Sequence, residues 1–497
     1  MDNVLFAGID IGTQGTKGVL TDRMGNTVSE AFVPSVLEHP ETNAVTENPE
    51  RIVDSVISVI RKTVEKSGRD GKEVRAVCID GQMAGILGVD EDFRAVTPLD
   101  SWLDNRCAKY TELLRQKAGN SCLLQSGGQF MNAHAPKILW WKHERPDAYA
   151  KIKKFIMPNA YAAGCLCGLK AEDAFMDYTF LHFNLFSDNL KKGFCASMLK
   201  DFGVEPEKMP KIVSPQTVVG TVTAEFAAEC GISPDVKVLA GCGDTAASAL
   251  GSGIVDTGIA QDVAGTASVF ACCTDRFIPD VTDSTLLYSR SVIDGQFLPL
   301  SYITGGGLTL IWFSKLCGKE LNELDLLAER APAGSGGVTF IPHFSGRTFP
   351  FDISASGAFM GLNTETSAGD MFRAILEAIA FEYRGFLDIM VKNGCLDGLK
   401  LIRGVGGGAK SRIFSRIKAD VLGADYLACE HICSAPEAMA KLAALSCGYT
   451  DLTVKEVFGS SDAGRRLPFD ESRHKAYTAA FDLYMSRLYG YLKSEKI

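Results

Sequence analysis

The feature that most constrains this chain is a short motif that occurs twice, half the chain apart. Residues 4–20 read VLFAGIDIGTQGTKGVL: an apolar strand that stops at Asp10-Ile11-Gly12-Thr13, a Gly/Gln/Thr turn, and a second strand resuming at Lys17. Residues 258–270 read GIAQDVAGTASVF, where Asp262 and Gly265-Thr266 echo Asp10 and Gly12-Thr13. In the first copy Gly8, Gly12 and Gly15 surround a carboxylate, threonine hydroxyls and a lysine. Small residues let backbone N–H groups approach an oxyanion, and hydroxyls with a cation complete the cradle. The motif lacks the G-x-x-x-x-G-K-[ST] run of a phosphate loop that opens a helix. It also lacks the dinucleotide fingerprint, and the segment after it alternates like a strand. An ordinary glycine-rich hairpin is the plain alternative for one copy. Two copies predict two domains of common ancestry, each opening on a β-hairpin phosphate clamp, facing each other over a cleft.

Length agrees: 497 residues exceed what one hydrophobic core supports. A net charge of −9 argues against a general nucleic-acid binder and against an anionic membrane surface. No apolar run reaches membrane-spanning length, and no basic-then-apolar leader opens the sequence, so cytosol is the expected compartment. Fifteen cysteines in largely apolar surroundings fit reduced, buried thiols. The nearest approach to a metal pattern, Cys429 to Cys433 around His431, lacks a second ligand pair.

Along the chain, Thr27 to Val33 adds a third antiparallel strand, and Asn48-Pro49 starts a helix that Gly68 ends. Val74 to Asp80 is a strand running into Gly81-Gln82-Met83-Ala84-Gly85, placed where α/β sheets bind ligands. Ser101-Trp102-Leu103-Asp104-Asn105-Arg106 supplies an aromatic face and paired polar groups suited to a sugar ring, or else an Asp–Arg pair at a helix start. Val236 to Ala240 is a strand ending in Gly241-Cys242-Gly243-Asp244, followed by small residues: an Asp at a helix N-terminus, functional or a plain N-cap. Gly305-Gly306-Gly307 precedes a helix, and a strand from Leu399 delivers Gly406-Gly407-Gly408-Ala409-Lys410-Ser411 into another, both candidate nucleotide contacts. The small-residue helix Ala435–Cys447 is expected to pack on that last site.

Together these segments resemble the FGGY carbohydrate kinases over about residues 4–450, most like the xylulokinase branch. The resemblance implies an α/β fold of two ribonuclease-H-like domains, of the actin and hexokinase type, around a central cleft. Residues 1–250 would hold the sugar side, the first hairpin and the base; residues 251–497 would hold the nucleotide side. It implies ATP and Mg²⁺, with Asp10 holding the metal through water and Asp244 as catalytic base. Thr13, Gln14 and Lys17, with Gly265 and Thr266, would contact the ATP phosphates. Gly307, Gly407, Gly408 and Ser411 would line the nucleotide, and Gln82, Met83, Trp102 and Asp104 the sugar. The chain departs from the branch at Ala84, where a His is usual, and at Thr245, where an Asn is usual. It departs again at Asn159-Ala160-Tyr161 (usually K-D-Y), Leu166-Cys167-Gly168, Ala267 and Pro436-Glu437-Ala438-Met439.

The function expected is ATP-dependent phosphorylation of a ketopentose such as xylulose in the cytoplasm, with a homodimer one option for the assembly. A kinase for another ketose, polyol or sugar acid is the alternative, and an actin- or chaperone-like ATPase switch a more distant one. Asp244, at a helix N-terminus, is expected to be ionised at neutral pH.

Overall fold

The structure is a computed structural model, and it describes residues 3–344, 346–348, 350, 352, 354–430, 433–459 and 463–494. His431 and Ile432, inside the Cys429–Cys433 pattern, lie outside the described residues. The chain forms two compact units that divide between Gly251 and Ser252; residues 288–296 and 433–460 return to the first unit.

In the first unit the opening segment is a hairpin of β1 (Leu5–Gly12) and β2 (Gly15–Asp22), with Asp10 opposite Lys17 and Gly12 opposite Gly15. β3 (Thr27–Pro34) extends the meander. Helix α1 (Pro49–Ser67) starts where Asn48 accepts hydrogen bonds from the Glu50 and Arg51 N–H groups, and it ends at Gly68 in the left-handed region. Its apolar stripe, with Val56, Val59 and Ile60 fully buried, is packed against β2 and β3. β4 (Val74–Gly81) runs parallel to β1 and puts Asp80 beside Asp10. α2 (His134–Glu144) follows, and β5 (Val218–Thr221) and β6 (Lys237–Leu239) complete a sheet of order β5-β6-β4-β1-β2-β3. Helix α3 (Asp244–Gly251) closes the unit's main segment.

In the second unit β7 (Ile259–Ala264) and β8 (Ser268–Cys272) form the other hairpin, and β9 (Phe297–Ile303) pairs antiparallel with β8. After helices α4 (Gly306–Cys317) and α5 (Ala368–Lys392), β10 (Leu401–Val405) lies parallel to β7. Helix α6 (Arg412–Leu422) leads to β11 (Tyr426–Cys429), and β12 (Gly464–Leu467) is the antiparallel edge. These strands run β9-β8-β7-β10-β11-β12. Strand for strand this repeats the first unit: a hairpin and a third antiparallel strand on one side, two parallel strands and an antiparallel edge on the other.

Two sequence expectations change here. The helix Ala435–Ser446 packs on β1 and β4 of the first unit. Gly8 is what admits it, since a methyl group there would lie 1.7 Å from the Pro436 carbonyl oxygen. Gly8 is therefore a packing residue and not part of the anion cradle. Asp262 holds the same place in its hairpin as Asp10, but it is spent on structure. Its carboxylate pairs with Lys418 and accepts from Tyr426 Oη at 2.6 Å and Tyr383 Oη at 2.9 Å, all fully buried. Where Asp10 has Asp80 beside it, Asp262 has Gly404, whose missing side chain makes room for the Tyr426 hydroxyl.

Candidate functional site

Each unit carries a constellation of its own. In the first, the tips of β1 and β4 and the start of α3 gather Asp10, Asp80 and Asp244. The turn into α3 depends on glycine. Gly241 has φ 68°, and a methyl there would meet the Ile79 carbonyl oxygen at 1.8 Å. The Gly81 N–H donates to the Cys242 carbonyl at 3.1 Å, and the Gln82 N–H to the Ile11 carbonyl at 2.9 Å, so the three tips are stitched together by backbone.

Three acids in one place perturb each other. Asp244 is half-buried and pushed up to about 7, by burial first and by Asp10 second, with the Thr245 hydroxyl pulling the other way. Asp244 was expected to be ionised at neutral pH; burial beside a second carboxylate outweighs its favourable helix terminus. Burial also raises Asp10, against Asp80 and Lys17, while burial, Asp10 and Asp244 raise Asp80 well above the ordinary range. Asp80 shares a hydrogen bond with Asp10, and among the described residues no other side chain donates to its oxygens. This excess of buried negative charge suits a divalent cation. Among the described residues no three His, Cys, Asp or Glu side chains converge closely enough to ligate one directly.

Beside this cluster, Gln82 is buried and its Nε2 donates to Glu47 Oε1 at 2.6 Å. Met83 fills the space left by the absent side chain of Gly243. Ala84 sits at φ 59°, unusual for a residue with a Cβ, and its carbonyl accepts from Lys137 Nζ at 2.8 Å. Lys137, on α2 and fully buried, donates also to the Ser101 carbonyl at 2.6 Å, so one ammonium ties the 81–85 loop to the 101–106 loop. Half-exposed Trp102 donates through Nε1 to Thr13 Oγ at 2.8 Å, which joins the second loop to the opening hairpin. Asp104 is buried and committed to the loop itself, accepting from the Val45 N–H at 2.9 Å and from Arg106 Nε at 2.9 Å. Arg106 also bonds Asp100 at 2.7 Å and lies over the Trp140 ring at 4.2 Å. Thr13 and Gln14 form the hairpin turn, Gln14 exposed, and Lys17 follows with a loose ion pair to Glu30 at 3.6 Å.

Sequence reasoning missed Glu47, Asp80, Lys137, Asp177 and Thr179. A signal existed for Lys137: one cation inside the apolar run Ala135 to Trp141. Asp177 lay in an aromatic stretch without usable periodicity, yet an acid among Phe175, Met176, Tyr178 and Phe180 is the same kind of signal.

In the second unit, Gly265, Thr266, Gly307, Gly407, Gly408 and Ser411 line one cavity of about 440 Å³. Gly307 is obligatory there, because a methyl would lie 1.8 Å from the Gly265 carbonyl oxygen. The Gly307 and Leu308 N–H groups donate to the Thr266 carbonyl, which fixes the second hairpin turn on the start of α4. Ser411 caps α6 through the Phe414 N–H at 3.2 Å. Phe372, Leu376 and Phe414 give the cavity an apolar wall, and Asn322 and Asp325 a polar one. Backbone amides at glycine turns beside a flat apolar wall suit phosphates and a ring.

Comparison with known proteins places this geometry. Residues 5–251 match the N-terminal domain, and residues 289–435 the C-terminal domain, of the FGGY family of carbohydrate kinases. A xylulose kinase of Lactococcus lactis is 26% identical over 426 residues, spanning 84% of this chain and 83% of its own. A gluconokinase of Bacillus subtilis is 23% identical over 498 residues, spanning 96% and 94%. Among solved structures, a xyloylose kinase from Brucella ovis superposes with a TM-score of 0.90 at 26% identity, covering 99% of both chains.

Proposed function

The chain belongs to the FGGY family of carbohydrate kinases and is a sugar kinase; from that premise we propose that it transfers the terminal phosphoryl group of ATP to a hydroxyl of a ketopentose, xylulose foremost. The observation that carries the reading is Asp244 at the start of α3 beside Asp10, with Gln82, Met83 and Trp102 on the same unit. The Gly81-Gln82-Met83 run and the relatives named xylulose kinase support the pentulose.

Phosphoryl transfer proceeds through a loose transition state, so the protein's work is placement and charge balance. The glycine turns at 265–266, 307 and 407–408, with Ser411, would cradle the nucleotide. Thr13, Gln14 and Lys17 would receive its phosphates. Mg²⁺, when bound through water on Asp10, supplies neutralising charge at the transferring group. Gln82, Met83 and Trp102 would hold the acceptor. Asp104 would act through the loop it builds. Asp244 takes the hydroxyl proton late, as the oxygen–phosphorus bond forms. Burial, which raises Asp244, makes it a better proton acceptor than an ordinary carboxylate.

The test is a coupled ADP assay across xylulose, ribulose, fructose, glycerol and gluconate, run on the wild type and on Asp244→Asn. The reading expects xylulose to give the highest kcat/KM, and the variant to bind nucleotide without turnover. A higher kcat/KM for gluconate would move the substrate to a sugar acid. Near wild-type turnover by Asp244→Asn would remove the base.

A further inference from the structure

Three buried residues outside the acid cluster converge on the turn that carries Asp244. At one end, Asn159 Nδ2 donates to the Ala240 carbonyl at 3.2 Å. At the other, the Gly243 N–H donates to Thr179 Oγ at 2.9 Å. Asp177 stands behind both. Its carboxylate accepts from the Thr179 hydroxyl and from the Thr179 N–H at 3.0 Å; burial pushes its pKa up to about 7, with the Thr179 donors and the Asn159 amide pulling the other way. Asn159, Asp177 and Thr179 are each 0–1% exposed.

The wiring has one sense. A threonine hydroxyl carries one proton, and here Asp177 takes it, so a lone pair is left facing the Gly243 N–H. The turn between these two anchors is closed on its other sides. Gly241 is pressed on the Ile79 carbonyl, and the Gly243 space is filled by Met83 and approached by Phe180. Backbone bonds hold its middle, from the Gly81 N–H to the Cys242 carbonyl and from the Gly241 N–H to the Pro215 carbonyl, and Thr179 and Asn159 are the side-chain anchors at its ends, so a shift there would move Asp244 and the Met83 wall together.

We propose that Asn159, Asp177 and Thr179 form a positioning set that aims the Asp244 carboxylate at the acceptor hydroxyl, with the Thr179 hydroxyl as its central link. This rests on Asp244 being the base. The three come from a helix (Pro158–Cys167), a strand (Phe175–Asp177) and the turn after it, which the fold alone brings together. Their side chains bond to one another and to the Asp244 turn, so their loss should fall on the chemical step.

The test is Thr179→Val, which keeps the shape and removes the hydroxyl, with Thr179→Ser as the conservative rescue. Rates are measured per nucleotide-binding site, so that misfolded protein does not count. Thr179→Val should lower kcat by about 10- to 100-fold, the scale of a misplaced reacting group, and leave KM for ATP within about 2-fold. Thr179→Ser should recover kcat to within about 3-fold of wild type, since the link it restores is the hydroxyl. If Thr179→Val does not fold, Asp177→Asn, which keeps an acceptor for the Thr179 N–H but removes the charge, should lower kcat alone. Wild-type kcat in Thr179→Val or Asp177→Asn, or a Thr179→Ser as impaired as Thr179→Val, overturns the positioning set. Asp244→Asn in the same assay separates the two ideas. Inert Asp244→Asn beside fully active Thr179→Val rejects the positioning set and keeps the base; active Asp244→Asn rejects both.

Discussion

Replacing Lys418 by methionine should destabilise the second unit, and by an amount that depends on pH. Lys418 and Asp262 are both fully buried. Burial lowers the lysine from its ordinary value, with Asp262 pulling the other way. The lysine also lies over the Phe414 ring at 3.8 Å, so methionine of similar length keeps the apolar contact and loses the charge. Asp262 then faces only the hydroxyls of Tyr383 and Tyr426. A buried carboxylate stripped of its cation takes a proton. Against an ordinary aspartate near 3.9 in the unfolded chain, holding it neutral at pH 7 costs about 4 kcal/mol, and at pH 5 about 1.5 kcal/mol. The first figure agrees with the roughly 3–5 kcal/mol seen when one partner of a buried pair is removed. The sign follows from proton counting. In the variant the folded state binds one proton more than the unfolded state above pH 4, so its stability falls by about 1.4 kcal/mol per pH unit. Calorimetry at pH 5 and 7 reads it: about 2–4 °C per kcal/mol for a domain of 150–250 residues, hence a loss of roughly 8–16 °C at pH 7 and less than half that at pH 5. A loss under about 1 kcal/mol, or one equal at the two pH values, would refute the reasoning.

The remaining predictions come from single contacts. Gly8→Ala puts a methyl 1.7 Å from the Pro436 carbonyl oxygen and should cost about 1–3 kcal/mol in urea unfolding, with the helix Ala435–Ser446 losing hydrogen-exchange protection first. Lys137→Met leaves the Ala84 and Ser101 carbonyls without their donor, so KM for the sugar should rise about 10-fold or more while KM for ATP holds, since the cost falls on the loops that ammonium joins. Glu382 is held down to about 2: burial would raise it, but Arg347, His343 and the Tyr484 hydroxyl prevail. Its stabilisation is complete above about 4.5 and is lost as pH falls from there towards 2, so Glu382→Gln should flatten the acid limb of a stability–pH curve by up to about 3 kcal/mol.

The repeat of hairpins was legible because a tight turn of this kind has few solutions: small residues at the bend, strands on both sides, one carboxylate two residues before the end of the first strand. The observed registers, Gly12 opposite Gly15 and Ala264 opposite Ser268, carry that pattern in both units. Helices with caps were equally plain, as Asn48 and Gly68 on α1 illustrate. What stayed hidden was what each carboxylate faces, because neighbours across a sheet come from distant sequence. Asp10 and Asp262 look alike in one dimension and differ through the residue one strand over, Asp80 in one case and Gly404 in the other. That one position decides whether the charge is left seeking a cation or is met by a lysine and two tyrosines. The same cause hid the residues that hold the acceptor side together. Lys137 and Thr179 bond to backbone carbonyls and N–H groups, and a backbone partner leaves no residue type in the sequence to find. Only the acids and cations placed inside apolar runs betray such roles, since burying one without a partner costs more than a fold of this kind can tolerate. Asp177 and Lys137 both carry that mark, and both hold loops rather than substrates.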